Sequence, residues 1–137
     1  MSLQSEQLKE RTLSFAVSVL RLVDTLQQTS CAQVIGRQLA KCSTSVGANY
    51  RAACNARSRQ EFIAKLCIVV EEADESIFWL DVLMRMAYLP RTTVVPLRDE
   101  ATELRSVFSR SVGTARANLR ARQGASRSKQ INDPMTQ

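Results

Sequence analysis

A chain of 137 residues that is 45% hydrophobic, with only four glycines and three prolines, is the size of one domain with a real core. That composition argues against a disordered chain and against an all-β fold. Nineteen Lys and Arg against thirteen Asp and Glu leave a formal charge of +6, which points to a polyanionic partner, nucleic acid before an anionic membrane surface, or to a basic face that serves only solubility.

The first predicted helix covers Gln4–Gln28. Leu8, Thr12, Phe15, Val19, Leu22 and Leu26 recur in steps of three and four, and Leu13, Val17 and Leu20 widen that stripe. Thr29 or Ser30 can cap the second helix, Ala32–Ala56. Its stripe is Ile35, Leu39, Cys42, Val46, Asn49 and Ala53, with Gly36, Gly47 and Ala48 allowing close backbone approach. Asn49 then needs a hydrogen-bond partner.

Ser58-Arg59-Gln60-Glu61 reads as a capping box: the Ser58 hydroxyl accepts from the Glu61 amide, and the Glu61 carboxylate reaches back to the Ser58 amide. It opens a third helix that runs to Leu89, before Pro90. The inner stripe is Phe62, Leu66, Val69, Ala73, Ser76, Leu80, Leu83 and Ala87. Ile63, Val70 and Ile77 flank it on one side. Ile68, Trp79 and Met86 lie on the other, with Phe78 and Val82 almost opposite. One surface helix needs a single apolar stripe. The arc Ile68, Phe78, Trp79, Val82 and Met86 is therefore expected to meet another subunit.

The fourth helix, Val94–Gln123, is capped by Thr93, with Pro96 in its first turn. Leu97, Ala101, Leu104, Phe108, Val112, Ala115 and Leu119 form its stripe. Residues 124–137 read as a flexible basic tail. Short links make successive helices antiparallel, so the fold class is all-α: an up-down-up-down four-helix bundle over residues 1–123, with helices of roughly 37–45 Å.

Catalysis and metal binding have little support. Without histidine, the Glu-x-x-His pairs of a di-iron bundle cannot be built. Cys31, Cys42, Cys54 and Cys67 form no C-x-x-C pair and are expected as free thiols packed like small hydrophobes. Glu71, Glu72, Asp74 and Glu75 are expected on a solvated face or paired with Arg51, Arg57 or a neighbouring subunit. No phosphate loop or serine–base pairing is visible. The expectation is no enzyme and no cofactor. No apolar run is long enough for a membrane span and the N-terminal segment has no secretory pattern, so a cytoplasmic location is expected.

Cations fall in two runs. Arg51, Arg57, Arg59 and Lys65 surround the second connection, where Glu61 is the one acid. Arg105, Arg110, Arg116, Arg120, Arg122, Arg127 and Lys129 follow from Leu104 to Gln130 with no acid between them. Both runs are candidate nucleic-acid contacts. Aromatic residues are scarce and mostly fit the core, so base stacking is expected to be minor and binding weakly sequence-selective.

Three segments carry a family resemblance: LKERTLSFAVSVLRLV (Leu8 to Val23), IGRQLAKCSTSVGANYRAA (Ile35 to Ala53) and ARSRQEFIAKLCIVVEEADESIFWL (Ala56 to Leu80). Together they resemble the bacterial "four helix bundle protein" family, whose founding members are encoded in intervening sequences of large-subunit rRNA genes. The resemblance implies a homopentamer with basic surfaces. It also implies kinship with the accessory variability protein of diversity-generating retroelements, which binds a reverse transcriptase and nucleic acid. Gln27-Gln28 depart from the proline common after the first helix, and Ala53-Cys54 from a common Glu-Ala. The resemblance supplies no catalytic residues. Three functions stay open: an oligomeric bundle that binds structured RNA or RNA/DNA, alone or as an accessory to a reverse transcriptase or other nucleic-acid enzyme; a protein–protein scaffold; and a small-ligand or metal-binding bundle.

Overall fold

A computed structural model describes residues 2–132. It contains four helices: α1 (Leu3–Asp24), α2 (Ser30–Cys54), α3 (Arg59–Met86) and α4 (Arg91–Ile131). Side-chain caps start the first three. Ser2 accepts from the Ser5 amide at 3.1 Å, Thr29 from Ala32 at 3.2 Å and Ser58 from Glu61 at 3.0 Å. The Glu61 carboxylate completes the third cap one residue further back than the box predicts, accepting from the Arg57 amide at 2.9 Å.

The helices pack in chain order around one core, and the seam between α4 and α1 is the loosest. Each neighbour is antiparallel to the last. Gly36 and Gly47 of α2 meet Val23 and Thr12 of α1. Asp81 and Asp74 of α3 pair with Arg98 and Arg105 of α4. The α1–α4 seam is bridged by the Arg11 guanidinium, which grips Glu100 and Glu103. The core includes Val19, Leu39, Val46, Leu66, Val69, Leu80, Leu83, Leu104 and Phe108, all fully buried. Buried Thr12 and Ser76 donate to the carbonyls of Leu8 and Glu72, at 2.9 and 2.8 Å. The Ser43 hydroxyl is buried with no hydrogen-bond partner.

Several expectations are corrected. On α2, Tyr50 rather than Asn49 turns inward: Tyr50 is buried, and Asn49 stays half-buried, donating to the Ser45 carbonyl at 2.9 Å. On α1, Leu13, Val17 and Leu20 face solvent instead of widening the core stripe. On α3, Ile63 and Ile77 are buried while Phe62 is half-buried, which rotates the inner face. Ala87 is not core; it ends the helix in the left-handed region at φ 54°, where its amide bonds the Met84 carbonyl. Cys31 is exposed, while Cys42 is buried as expected.

The fourth helix differs most. It begins at Arg91, with Pro90 rather than Thr93 as its N-cap, so Pro96 lies in the second turn. It also continues to Ile131, so residues 124–131 are helical where an irregular tail is expected. Gly124 costs about 1 kcal/mol of helix propensity, but the alanine, arginine, lysine and glutamine around it are good helix formers. Residues 133–137 of the expected tail lie outside the described residues. No helix among the described residues is long and apolar enough to cross a membrane.

Candidate nucleic-acid interface

The helix register decides where the cations go. Asp81–Arg98 and Asp74–Arg105 fix α3 against α4. Continued downward, that register sets Cys67 against Val112, and Arg116, one turn further on, reaches back to donate to the thiol sulfur at 3.5 Å. The same register sets the first residue of α3, Arg59, opposite Arg120. Beyond that level no described residue packs on α4. Residues 120–132 are all exposed, and the helix projects past the bundle by roughly 15 Å at 1.5 Å per residue.

Thr12 against Gly47 and Tyr50 against Phe108 define the same level on the other helices. Residues 2–12, 47–70 and 108–132 thus make up one end of the molecule. That end holds twelve cations, of which Arg11 is paired with Glu100 and Glu103 above it, and three acids, Glu6, Glu10 and Glu61; the remaining described residues hold seven cations and nine acids. The two basic runs of the sequence are therefore one basic pole.

The individual residues are not equivalent. Arg51, Arg57, Arg59, Arg110, Arg116, Arg120 and Arg122 are exposed, and Lys65 is half-buried. Arg127 and Lys129 ride the projecting end of α4. Arg105 does not join the pole: it lies higher on the bundle, paired with Asp74. That pairing also answers part of the acidic cluster, whose partner is Arg105 rather than Arg51 or Arg57.

Acids concentrate away from the pole. Burial raises the Glu72 carboxyl above its ordinary range; Glu75 and Glu71 add to the rise, and Lys41 opposes it. Burial likewise pushes the Cys42 thiol up. Arg11 is raised by its hydrogen bond to Glu100, and Arg98 by its bond to Asp81. Among the described residues no three His, Cys, Asp or Glu side chains converge on a possible metal position.

The expected subunit-contact arc divides. Phe78 and Met86 are 57% and 43% exposed, whereas Ile68, Trp79 and Val82 are half-buried, the last two packing on the core. Phe78 meets Trp79 edge-on at 5.1 Å. A second apolar strip, Leu13, Val17 and Leu20, runs along α1 beside an open groove floored by Gly47 and Ala48. Its i, i+4, i+7 spacing is visible in the sequence, but the same spacing also fits a widened core stripe.

The model of the 23S rRNA-intervening sequence protein family matches residues 5–110. A crystal structure from Bacteroides thetaiotaomicron, a protein of unknown function from the S23 ribosomal protein family, shares 32% identity with a TM-score of 0.75. The alignment covers 81% of this chain and 99% of that one. No curated protein matches the chain.

Proposed function

The chain belongs to the 23S rRNA-intervening sequence protein family, and we propose that it is a non-enzymatic, oligomeric bundle that binds structured RNA or RNA/DNA through its basic pole. The observation that carries this reading is the merging of two basic runs at one end, extended outward by a bare helix. Uncompensated cations gathered on one surface attract phosphate and release its counterions. Exposed guanidiniums also suit phosphate better than ammonium groups, because their planar forks bond two oxygens at once.

Assembly would strengthen the field, since each subunit adds its pole. Two unpartnered apolar strips support it: Leu13, Val17 and Leu20 on α1, and Phe78 with Met86 on α3. They lie on different helices, which suits a head-to-tail ring in which one strip of each subunit meets the other strip of the next. The pentamer implied by the sequence resemblance is one such ring. Multi-angle light scattering should return an oligomer; a monomer at tens of micromolar would remove this part of the proposal.

Binding is tested by fluorescence anisotropy against hairpin RNA, an RNA/DNA hybrid, duplex DNA and single strands at several salt concentrations. Affinity should fall steeply with salt, by roughly 0.9 log units per decade for each duplex phosphate neutralised. No binding to any of them at about 50 mM salt would replace this reading with that of a protein–protein scaffold.

A further inference from the structure

An open cleft of about 310 Å³ lies within the basic pole, between the N-terminal ends of α1 and α3, the C-terminal end of α2 and the middle of α4. Phe62 gives it an accessible apolar wall above the buried Tyr50 and Leu66; Ser5 and Ser111 are among the polar groups that line it. Phe62 is half-buried. Tyr50 is held in place by packing its ring against Phe108 with centroids 5.0 Å apart. A cleft of this volume, at the small end of ligand sites, has room for a nucleobase.

Two cations flank the Phe62 wall. Arg59 and Lys65 lie one helical turn before and after Phe62, on its side of α3. Arg51 instead lines the groove beside Leu13, and Arg110 lies about 200° around α4 from the buried Phe108 and faces away from the core. The nearby acid Glu6 is already ion-paired with Lys9 at 3.2 Å. A cleft with an accessible Phe62 on one side, flanked along α3 by Arg59 and Lys65, has the chemistry of a nucleotide unit: a flat apolar base between two anions.

We propose that this cleft receives one unpaired nucleobase of the bound nucleic acid, stacked against Phe62, while Arg59 and Lys65 hold the phosphates on either side. The inference rests on the reading of the basic pole as a nucleic-acid surface and adds a preference to it. A duplex offers phosphates but no free base, whereas a bulge, loop or single strand offers both. The protein should then prefer unpaired segments, although its few aromatics suggest otherwise from the sequence alone.

The wild-type test compares three RNA hairpins of equal phosphate number: fully paired, carrying one bulged 2-aminopurine, and carrying an abasic site at the bulge. The bulged base should bind roughly tenfold tighter than either control, with its fluorescence quenched by stacking. Phe62→Ala should remove that advantage while keeping the salt slope, and Ser111→Phe, which narrows the cleft from α4, should do the same in a chain that keeps Phe62. Circular dichroism melts check that both variants fold. Free adenosine or uridine monophosphate separates the sources of the ring: competition against the bulged hairpin at millimolar concentration supports the site, since a lone nucleotide lacks the second phosphate. Equal affinity for all three hairpins, with a normal salt slope, overturns the base site and leaves the electrostatic reading standing. Absence of binding to every RNA overturns both.

Discussion

Removing Arg57 and Arg59 together isolates the electrostatic part of binding from the fold. Both side chains are exposed. The Arg57 contact that matters to the α3 cap is made by its backbone amide, which a side-chain change leaves in place. Arg59 is the first residue of α3, where a cation opposes the helix dipole, so Arg59→Gln should leave stability unchanged or slightly raised. If each arginine neutralises one phosphate, the double variant should lose about 1.8 from the slope of log K against log salt on a duplex, or about 1.4 on a single strand. At 0.1 M salt, one decade below the 1 M at which such contacts contribute little, this amounts to roughly 25-fold to 60-fold in affinity. Anisotropy titrations between about 50 and 300 mM potassium chloride measure both quantities. Arg98→Gln is the control: it removes an arginine too, but one paired with Asp81 near the opposite end, so its slope should match the wild type. A double variant with the wild-type slope, or an Arg98→Gln variant with an equal loss, would refute the basic pole as the binding surface.

Other expectations concern the scaffold. Leu80→Ala, at a fully buried position, should lower stability by about 2–5 kcal/mol in urea unfolding. Ala87→Gly should raise it by about 1 kcal/mol, because the α3 C-cap sits at φ 54°, which glycine adopts without the steric penalty of a Cβ. Gly113→Ala should also stabilise, by up to about 1 kcal/mol, since an added Cβ meets nothing within 4 Å; Gly47→Ala should gain less or lose, since its Cβ would press on the Thr12 hydroxyl at 3.1 Å. Glu72→Gln should raise the melting temperature at neutral pH. A carboxyl raised by burial holds its proton more tightly folded than unfolded, so its ionisation works against the fold as pH rises from the unfolded carboxyl range through the folded one, and the gain should vanish near about pH 3.

Helix number, order and antiparallel direction were legible because each helix buries one side and the periodicity of that side survives in the sequence. Phe15, Val19, Leu39, Val46, Leu66, Leu80, Leu104 and Phe108 all sit where their spacing puts them, in the core. The inward side of α2 was harder to read. Asn49 and Tyr50 are one position apart, about 100° around the helix, and an amphipathic tyrosine is compatible with either side. What settles it is satisfaction of polar groups: Asn49 bonds a carbonyl of its own helix, whereas Tyr50 buries its ring against Phe108. The length of α4 was not legible for the opposite reason. Past Arg120 no described residue packs on it, so periodicity carries no information, and local propensity alone continues the helix through Gly124.

The proposed binding surface was half legible, and the missing half is a matter of register. Each basic run is visible in one dimension, but whether two runs add depends on the ends to which they fold. Up-down-up-down order places the α2–α3 connection and the C-terminal half of α4 at the same end, and the Asp74–Arg105 and Asp81–Arg98 pairs set the level to within a turn. The same pairs remove Arg105 from the surface it was expected to join. Charge segregation along the bundle follows: acids that would neutralise the pole are held higher, on α3 and in the first half of α4, where they tie helices together. The Tyr50 and Phe62 cleft lies inside the pole for the same geometric reason. Both residues are near helix ends that the register gathers, and Tyr50 comes to lie beneath the Phe62 wall once it, rather than Asn49, turns inward. A sequence reading that settles the register before it weighs the charges would find both the pole and its cleft.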